Sequence, residues 1–470
     1  MRITGFRRTT ARPGRARAVT ALALAAGLLA AGCGRGGEDG EANTGRPSAA
    51  SADSADFGDL TQVCRAGDPS GSPAQGVTDK KIQVGVMSDI GFSKNPEFPD
   101  AAKVFTSWCN AAGGINGRKL EPVTRDVKMN EVRQRVIEAC REDFALVGGG
   151  AGYDGLGTKD RLSCLLPDFP GQTTQTENQG SDLQVSVQSV ATGYWPKEGL
   201  YNWLVKEAYP ETRGSIGIIL GDSAPTRVMR DKTIETLRAV GAEPPVYTDI
   251  YPAAGVSDWT PYAQALKDKG VKGLVWLGDF RNLAKLEQVL TTMQYKPDWI
   301  DTHSNSYSPD FIKVAGQESL AYQNNLADIG GFHPLEIPGP AVQDLKDLYA
   351  KYAPGANITY PALKAFSAWL LFAKSAVACG DNLTRKCVYE NARKETAWTG
   401  GGLQAPTDLS QKLPVTCHNV VKATPGGWTA ADFHPTDGIY RCDAPATRLA
   451  GDYGRPFTLA DVGKSIDDFR

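Results

Sequence analysis

The sequence has few of the residues from which metal sites are usually built. Its 470 residues include only four histidines, and no two of them have the spacing of a metal-binding pair on a helix. Its nine cysteines include no Cys-x-x-Cys pair, so a zinc site is not expected. We therefore expect no metal and no cofactor.

The sequence also lacks a hydrophobic run long enough to span a bilayer comfortably. The run from Val19 to Ala31 is too short, and the apolar stretch from Tyr360 to Cys379 contains Lys364 and Lys374, which is typical of a core helix.

Excess positive charge is confined to the N-terminus. The net charge is −2, and the six arginines of residues 1–32 leave −8 for the rest, which argues against a nucleic-acid partner.

The N-terminus has the pattern of an export signal. Residues 1–32 combine a basic start with a short apolar run, and Leu29-Ala30-Ala31-Gly32-Cys33 resembles a bacterial lipobox, whose cysteine is acylated. A plain signal peptide with an Ala-x-Ala site is the alternative. Residues 33–78 are rich in Gly, Ser, Ala and acids, which predicts a flexible tether. The expected location is outside the cell membrane, anchored to its outer face through lipid on Cys33.

Eight cysteines remain after Cys33, and an even number in an exported chain indicates disulfides. Eight cysteines allow about 105 pairings. Two pairs are close in sequence, at a predicted turn and a predicted C-terminal hairpin. A third would join two predicted helices on one face of a sheet, which leaves the last two cysteines as the fourth pair. The expected pairs are Cys379 with Cys387, Cys417 with Cys442, Cys109 with Cys140, and Cys64 with Cys164.

Short β-branched runs alternate with helical periodicity from Lys81 onward, which predicts parallel sheets built from βαβ units. The alternation occurs twice, so we expect an α/β fold with two doubly wound lobes. The predicted strands are 82–87, 120–127, 145–149 and 164–168 in one lobe, and 215–220, 246–251, 273–277 and 299–302 in the other. The predicted helices are 98–112, 130–143, 194–207, 226–240, 258–269, 281–294, 339–352 and 360–378, followed by a final strand pair.

A short string between the first helix and the second strand carries the most specific signal. Residues 110–120 are Asn-Ala-Ala-Gly-Gly-Ile-Asn-Gly-Arg-Lys-Leu, in which Gly113 and Gly114 are predicted to end the helix and Asn116-Gly117 to form a turn. This string resembles the corresponding connection in type I periplasmic binding proteins, in the branch of branched-chain amino-acid receptors. The resemblance covers nearly all of residues 79–445 in element order.

The resemblance implies a domain arrangement and a function. Three crossings near 190, 330 and 403 would form a three-strand hinge between the lobes. The first lobe would comprise residues 79–190 and 331–403, the second lobe 191–330, and residues 404–470 would add C-terminal strands to the second lobe and a tail. The implied function is a non-enzymatic receptor that delivers a small ligand to an ABC permease in the membrane. A ligand sensor for a membrane signalling protein is the alternative.

In doubly wound sheets, ligands bind beyond the carboxyl ends of the strands. The loops at those ends supply the predicted ligand-binding residues, which are Asp89, Phe92, Gly150, Tyr153, Thr173, Thr174, Asp222, Asp279, Phe280, His303 and Tyr307. The two threonines match a loop with which the family holds a ligand carboxylate. Where the family often has serines, this chain has Gly150-Ala151-Gly152, which makes an α-amino acid a doubtful ligand. An amino acid, an amide or a small carboxylate with an apolar portion is expected.

Several of these residues also have an alternative structural role. Asp279 would either pair with a ligand cation or cap the following helix. His303 would either contact the ligand or be held by structural hydrogen bonds. The aromatic residues Phe92, Tyr153, Phe280 and Tyr307 would either stack on the ligand or belong to the core.

Two motifs suggest other chemistry. Gly150 to Gly155 fits the G-x-G-x-x-G of dinucleotide-binding sites, but it follows the third strand instead of opening the domain, and no Gly-Lys-Ser/Thr of a P-loop follows it. Gly221-Asp222-Ser223 is similar to the nucleophile motif of Gly-Asp-Ser esterases. In that family an Asp-x-x-His lies near the C-terminus, whereas this chain has Asp432 and His434 one residue closer. An exported hydrolase is therefore the least favoured alternative.

Overall fold

The computed structural model describes residues 54–188 and 198–470. The predicted signal peptide (1–32), the lipidation site Cys33 and the first part of the predicted tether lie outside the described residues. Within the described residues, no helix is long and apolar enough to cross a membrane.

The first lobe is built on a four-stranded parallel sheet. Its strands are β3 (Lys81–Ser88), β4 (Lys119–Asp126), β5 (Leu146–Val147) and β6 (Asp168–Phe169), in the order β4-β3-β5-β6. The helices of this part of the chain are α1 (Ile90–Ser93), α2 (Glu97–Ala111), α3 (Val132–Glu142) and α4 (Thr158–Ser163). Three later helices, α10 (Pro340–Tyr352), α11 (Tyr360–Val377) and α12 (Arg385–Ala392), return to this lobe, where α10 and α11 pack against α2 and α12 packs against α11.

The second lobe is built on a seven-stranded sheet. Its strands are β7 (Ile216–Gly221), β8 (Tyr247–Tyr251), β9 (Gly273–Leu277), β10 (Trp299–Asp301), β11 (Asn325–Asp328), β12 (Val420–Thr424) and β13 (Gly427–Ala430). The order is β13-β12-β11-β10-β9-β7-β8, in which β12 pairs antiparallel with both β11 and β13 and the remaining pairs are parallel. Its helices are α5 (Glu198–Trp203), α6 (Ala224–Ala239), α7 (Thr260–Asp268), α8 (Phe280–Thr292) and α9 (Pro309–Tyr322).

The predicted alternation of strands and helices is therefore confirmed, with differences at particular elements. The predicted strand 164–168 is wrong over most of its length, because Cys164 ends α4 and the strand begins at Asp168. Helix α9 and strand β11 were not predicted. Gly316 interrupts the helical geometry of α9 at φ 80°, which explains why its periodicity is weak in the sequence.

The string 110–120 has the predicted local structure. Helix α2 ends at Ala111, and Gly113 and Gly114 follow it with φ values of 101° and 81°. The Asn110 side chain then bonds both backbone groups of Leu120, which joins the end of α2 to β4. The glycines allow the reversal because they have no Cβ to oppose positive φ.

The predicted tether is wrong from residue 54 onward. Strand β1 (Ser54–Phe57) pairs with β2 (Leu60–Arg65) in an antiparallel hairpin, and Phe57, Val63 and Cys64 are buried in the core of the first lobe. Phe57 packs against Phe366 of α11 with ring centroids 5.1 Å apart. Together with the buried Ala55, these side chains attach the hairpin to the lobe, and composition alone does not reveal them.

Two of the four predicted disulfides are confirmed and two are wrong. Cys379–Cys387 and Cys417–Cys442 are present, whereas the other pairs are Cys64–Cys109 and Cys140–Cys164. The wrong pairs assumed that α2 and α3 lie on one face of the sheet. Alternate residues of β3 show the opposite, because Val84 and Val86 pack with α2 while Met87 packs with α3. A disulfide cannot join helices across a sheet.

The chain crosses between the lobes more often than the resemblance implied. Near the predicted hinge positions, the side chain of Gln404 donates to the carbonyl of Val187, and the backbone of Gly331 accepts from Ala405. The predicted crossing near 190 falls on residues 189–197, which lie outside the described residues. A further crossing is made by the C-terminal segment, which contacts α6 near Tyr453 and the first lobe from Phe457 onward.

Candidate ligand-binding cleft

A cavity of about 670 Å³ lies between the carboxyl ends of the two sheets. Nine of the eleven predicted residues line it, and they are Asp89, Phe92, Gly150, Tyr153, Thr173, Thr174, Asp279, Phe280 and His303. Both lobes contribute, so a molecule in the cavity would contact both. The volume is in the range of known small-molecule sites.

The other two predicted residues do not line this cavity. Asp222 forms an ion pair with Arg227 on α6, at 2.6 Å. Tyr307 is buried, and its hydroxyl donates to Glu336 Oε2 over 2.6 Å while its ring packs edge-on against Trp428. Tyr307 is therefore a core residue, which is the structural role left open for each aromatic side chain.

Asp89 shapes the cleft wall through its contacts with the backbone. Its carboxylate accepts from the backbone N–H groups of Met129 (2.7 Å) and Gly152 (2.6 Å). Burial raises the pKa of Asp89 above its usual value, and the two backbone bonds oppose that shift. Both oxygens hold loops of the first lobe, so Asp89 positions the loop at Gly150 to Tyr153.

Asp154 holds the loop that carries Thr173 and Thr174 in place through hydrogen bonds to its backbone. This buried carboxylate accepts from the backbone N–H groups of Thr174 and Gln175, each at 2.8 Å, and from the side chain of Asn178 at 2.9 Å. Burial raises the pKa of Asp154 to about 7. The Thr174 hydroxyl donates to the carbonyl of Ala151, so Thr173 is the threonine whose side chain is better placed for a ligand.

Asp279 caps α8, which is one of the two roles that the sequence left open for it. Its Oδ1 accepts from the backbone N–H of Arg281 at 2.7 Å, and its Oδ2 lies 3.3 Å from the Arg281 guanidinium. Arg281 in turn donates to Asn95 of the first lobe at 3.0 Å. Asp279 thus orients an arginine that joins the two lobes across the cleft.

His303 follows β10 in a backbone conformation that side chains seldom adopt, with φ 68°. Its backbone N–H donates to Asp301 Oδ1 at 2.9 Å, which supports this turn. The turn brings His303 to the cavity wall beside Ser304 and Asn305. Positive φ at a non-glycine residue costs free energy, and such strain is often found at functional sites.

Several lining residues were not predicted, and the reasons differ. Ser88 is the last residue of β3, so the same strand-end argument applied one residue earlier would have found it. Three other lining residues do not lie at strand ends. Two are on helices, Lys232 on α6 and Lys364 on α11, and the third, Tyr453, lies in the C-terminal segment beyond the last strand. Their approach to the cleft depends on how the elements pack, for which the sequence carries no local signal.

The mouth of the cleft brings two acids from different lobes near one another. Glu97 begins α2 and Asp310 lies in the first turn of α9, and both line the cavity. The pKa of Glu97 is raised to about 7, mainly by burial and also by the charges of Asp310 and Asp100, while the charge of Arg281 opposes the shift. Protonation of Glu97 therefore favours the conformation in which the lobes are close.

We expect the substitution Glu97→Gln to flatten the pH dependence of stability. The unfolded chain has the ordinary pKa of 4.5, so the contribution of Glu97 is full below that value and is lost as pH rises through about 7. Melting temperatures measured between about pH 5 and pH 8 should fall less in the variant than in the unsubstituted protein. The control is Glu121→Gln, whose side chain is 48% exposed. Parallel curves for the Glu97 variant and the unsubstituted protein would contradict this assignment.

Comparisons with known proteins give consistent results. A family model described as periplasmic binding protein matches residues 82–427. No curated protein matches the chain.

Among solved structures, a fatty acid ABC transporter substrate-binding protein from Thermomonospora curvata is 19% identical, with a TM-score of 0.63 over 77% of this chain and 95% of that one. A branched-chain amino acid transporter substrate binding protein from Streptococcus pneumoniae, in complex with isoleucine, is 17% identical, with a TM-score of 0.59 over 75% and 98%. A branched chain amino acid ABC transporter from Thermus thermophilus with bound valine is 15% identical, with a TM-score of 0.61 over 77% and 98%. At these identities the similarity shows the fold.

Proposed function

The chain belongs to the periplasmic binding protein family, and on that premise we propose that it captures a small polar metabolite between its lobes and delivers it to an ABC importer. Members of this family bind solutes outside the cytoplasm. The observation that carries the proposal is the cavity of about 670 Å³ lined by both lobes. Lipid on Cys33 would keep the receptor at the membrane surface, near its permease.

Ligand capture follows from the contacts that join the lobes. Among the described residues, side-chain hydrogen bonds cross the cleft from Arg281 to Asn95 (3.0 Å), from Lys232 to Thr176 (3.3 Å) and from Gln172 to Asn305 (3.5 Å). A ligand that contacts both lobes binds the closed conformation better than the open one, so it shifts the population toward closure. The permease then distinguishes loaded from empty receptor by the closed arrangement.

The cleft chemistry favours a ligand with an apolar portion and at least one polar group. Phe92 lines the cavity with 61% of its surface exposed, and Phe280 and Tyr153 line it as well. The hydroxyl of Thr173, which lines the cavity, supplies a polar contact. The solved relatives include both amino-acid and fatty-acid binders, so this fold accommodates ligands with apolar bodies.

The receptor function is preferred to hydrolysis because the Gly-Asp-Ser motif has a structural role. Ser223 caps α6, and its hydroxyl lies 2.8 Å from the hydroxyl of Thr226 in a capping box. The side chain of His434 lies 3.6 Å from Asp432 and is 70% exposed. Nucleophilic catalysis requires a base within hydrogen-bond reach of the serine.

Ligand capture is tested with the purified protein freed of residues 1–33. We expect native mass spectrometry to show a retained small molecule, or a metabolite panel to raise the melting temperature by several degrees, because a ligand at about 100 times its Kd stabilises the folded state by about 2.7 kcal/mol. The substitution Thr173→Trp should abolish the shift by filling the cleft.

The matched control is Thr248→Trp, at an exposed position of β8 outside the cleft. It should bind as the unsubstituted protein does. If neither retained ligand nor any thermal shift is found, the receptor proposal fails. Capture of a sensor kinase instead of a permease in a membrane pull-down would favour the signalling alternative.

A further inference from the structure

Lys364 places a cation in the wall of the cleft. It lies in the second turn of α11, and its ammonium is 5.4 Å from the centroid of the Tyr360 ring one turn earlier. Thr359, Tyr360 and Pro361, which begin the helix, line the same cavity. The N-terminal end of a helix carries partial positive charge, which adds to the charge of Lys364 at this end of α11.

No carboxylate of the described residues forms an ion pair with Lys364. Burial lowers the pKa of Lys364 to about 8, and no neighbouring charge opposes that shift. Two other lysines, one on the same helix and one in the cavity wall, each have a polar or charged partner. Lys374, ten residues later on α11, pairs with Glu395 at 2.6 Å, and Lys232 bonds Thr176 and is influenced by the charge of Glu177.

A lysine partly withdrawn from water without a counter-charge destabilises the protein that carries it. An anion bound beside Lys364 would offset that cost, and this makes an anionic ligand group the natural partner of the site. Phosphate groups usually recruit an arginine or several cations. The other lysine of the lining, Lys232, bonds Thr176 and lies near the charge of Glu177, so Lys364 is better matched to the single charge of a carboxylate.

A second, independent observation concerns Ser88 in the same cavity. Its hydroxyl is buried, with 1% of the residue exposed, and it has no hydrogen-bond partner within the part of the chain that the structure describes. Buried hydroxyls are nearly always hydrogen-bonded, so an unpartnered one in a cavity wall indicates a group that the ligand supplies. Ser88 therefore offers a donor to an acceptor oxygen.

We propose that the ligand carries a carboxylate, that Lys364 pairs with it, and that Ser88 donates a hydrogen bond to a ligand oxygen. The apolar part of the ligand then lies along Phe92 and Phe280, which line the same cavity. This inference rests on the receptor function proposed above and adds the chemical class of the ligand. It also adds a specificity-determining residue on a helix, away from the strand-end loops.

The test uses carboxylates, each paired with its neutral primary amide and with the phosphate monoester of the same body. The probes are straight-chain acids of four to ten carbons, aromatic acids and α-amino acids, and binding is measured by thermal shift and calorimetry. We expect one carboxylate to bind well and its amide to bind more weakly by at least about 30-fold. The substitution Lys364→Met should cause a similar loss, and Lys364→Arg should retain part of the affinity.

The matched control is Lys374→Met on the same helix, which leaves the cleft unchanged and should not alter binding. Melting of each variant without ligand verifies that it is folded. Equal affinity of the Lys364→Met variant for the best carboxylate, or preference of the protein for the amide or the phosphate monoester, would overturn the inference while leaving the receptor function intact. A protein that binds no probe and retains no molecule on purification contradicts the receptor function itself, and this inference with it.

Discussion

Replacing Asp143 with alanine is expected to lower the free energy of unfolding of the first lobe by about 3–5 kcal/mol, because it leaves a buried arginine without its main counter-charge. The Asp143 side chain is fully buried after α3. Its carboxylate accepts from Arg125 Nη2 (2.8 Å) and Nε (3.0 Å) and from Gln83 (3.0 Å). The Asp143 carbonyl also accepts from Arg385 of α12 at 2.8 Å.

This residue therefore joins β3, β4 and α12 at one point. Arg125 has 7% of its side chain exposed, so water cannot replace the lost carboxylate. The measurement is urea unfolding followed by circular dichroism, combined with hydrogen exchange of the β3 and β4 amides. Exchange should accelerate in those strands more than in the seven-stranded sheet, since the loss is local to the first lobe.

The control uses the other acid that pairs with the same arginine. Glu142 lies 2.6 Å from Arg125 Nη2, but its side chain is 53% exposed. Its replacement by alanine should cost less than about 1 kcal/mol, because water screens and replaces an exposed partner. If the two variants are equally stable, burial does not determine the strength of this network.

The parts of the fold that could be predicted are those whose signal is local. β9 is a run of five buried residues, Gly273–Leu277, and α2 shows its apolar face at helical spacing, so each is recognised within its own segment. The turn at Gly113 and Gly114 is local as well, since positive φ selects glycine. The same reasoning placed nine of eleven strand-end residues in the cleft wall.

The parts that could not be predicted depend on contacts between distant segments. The hairpin at residues 54–65 is stabilised by α2 and α11, and the Cys64–Cys109 disulfide follows from that packing. Lys364 is one of two lysines in an apolar helix, and the sequence does not distinguish the one at the cleft from Lys374, which pairs with Glu395. Which face of α11 meets the cleft is decided by tertiary packing alone.

The C-terminal segment, residues 443–470, was predicted to be a tail, but it connects the two lobes. On the second lobe, its Tyr453 hydroxyl donates to Glu235 of α6 at 2.6 Å. On the first lobe, the Phe457 backbone N–H donates to the carbonyl of Glu177 at 2.9 Å, and the Leu459 N–H donates to Asp182 at 2.8 Å. Phe469 is buried against Tyr389 of α12. Only residues 454–456 separate the two attachments.

This short connection limits how far the lobes can separate while both attachments hold. Four backbone steps join Tyr453 to Phe457, and a fully extended chain reaches at most about 14 Å over that length. Tyr453 and Pro456 also line the cavity, so the segment passes along the cleft itself. Opening beyond that reach requires one attachment to break, which favours closed conformations even without ligand.

Inserting eight Gly and Ser residues between Gly454 and Arg455 is therefore expected to open the ligand-free protein. The insertion adds at most about 28 Å of reach and leaves both attachments in place. Spin labels on α6 and α4 should show a longer and broader distance distribution without ligand, and ligand affinity should fall because the binding-competent closed state is less populated. The melting temperature should change little, since lengthening a loop adds only a small entropic cost.

The matched control is the same insertion after Gly241, in the turn that follows α6. This glycine is exposed, and no atom of another residue approaches the position of its Cβ. The insertion there lies within one lobe and should leave both the label distances and the affinity unchanged. Identical distance distributions for the two insertions would show that the hinge segments, and not residues 443–470, set the opening of the cleft.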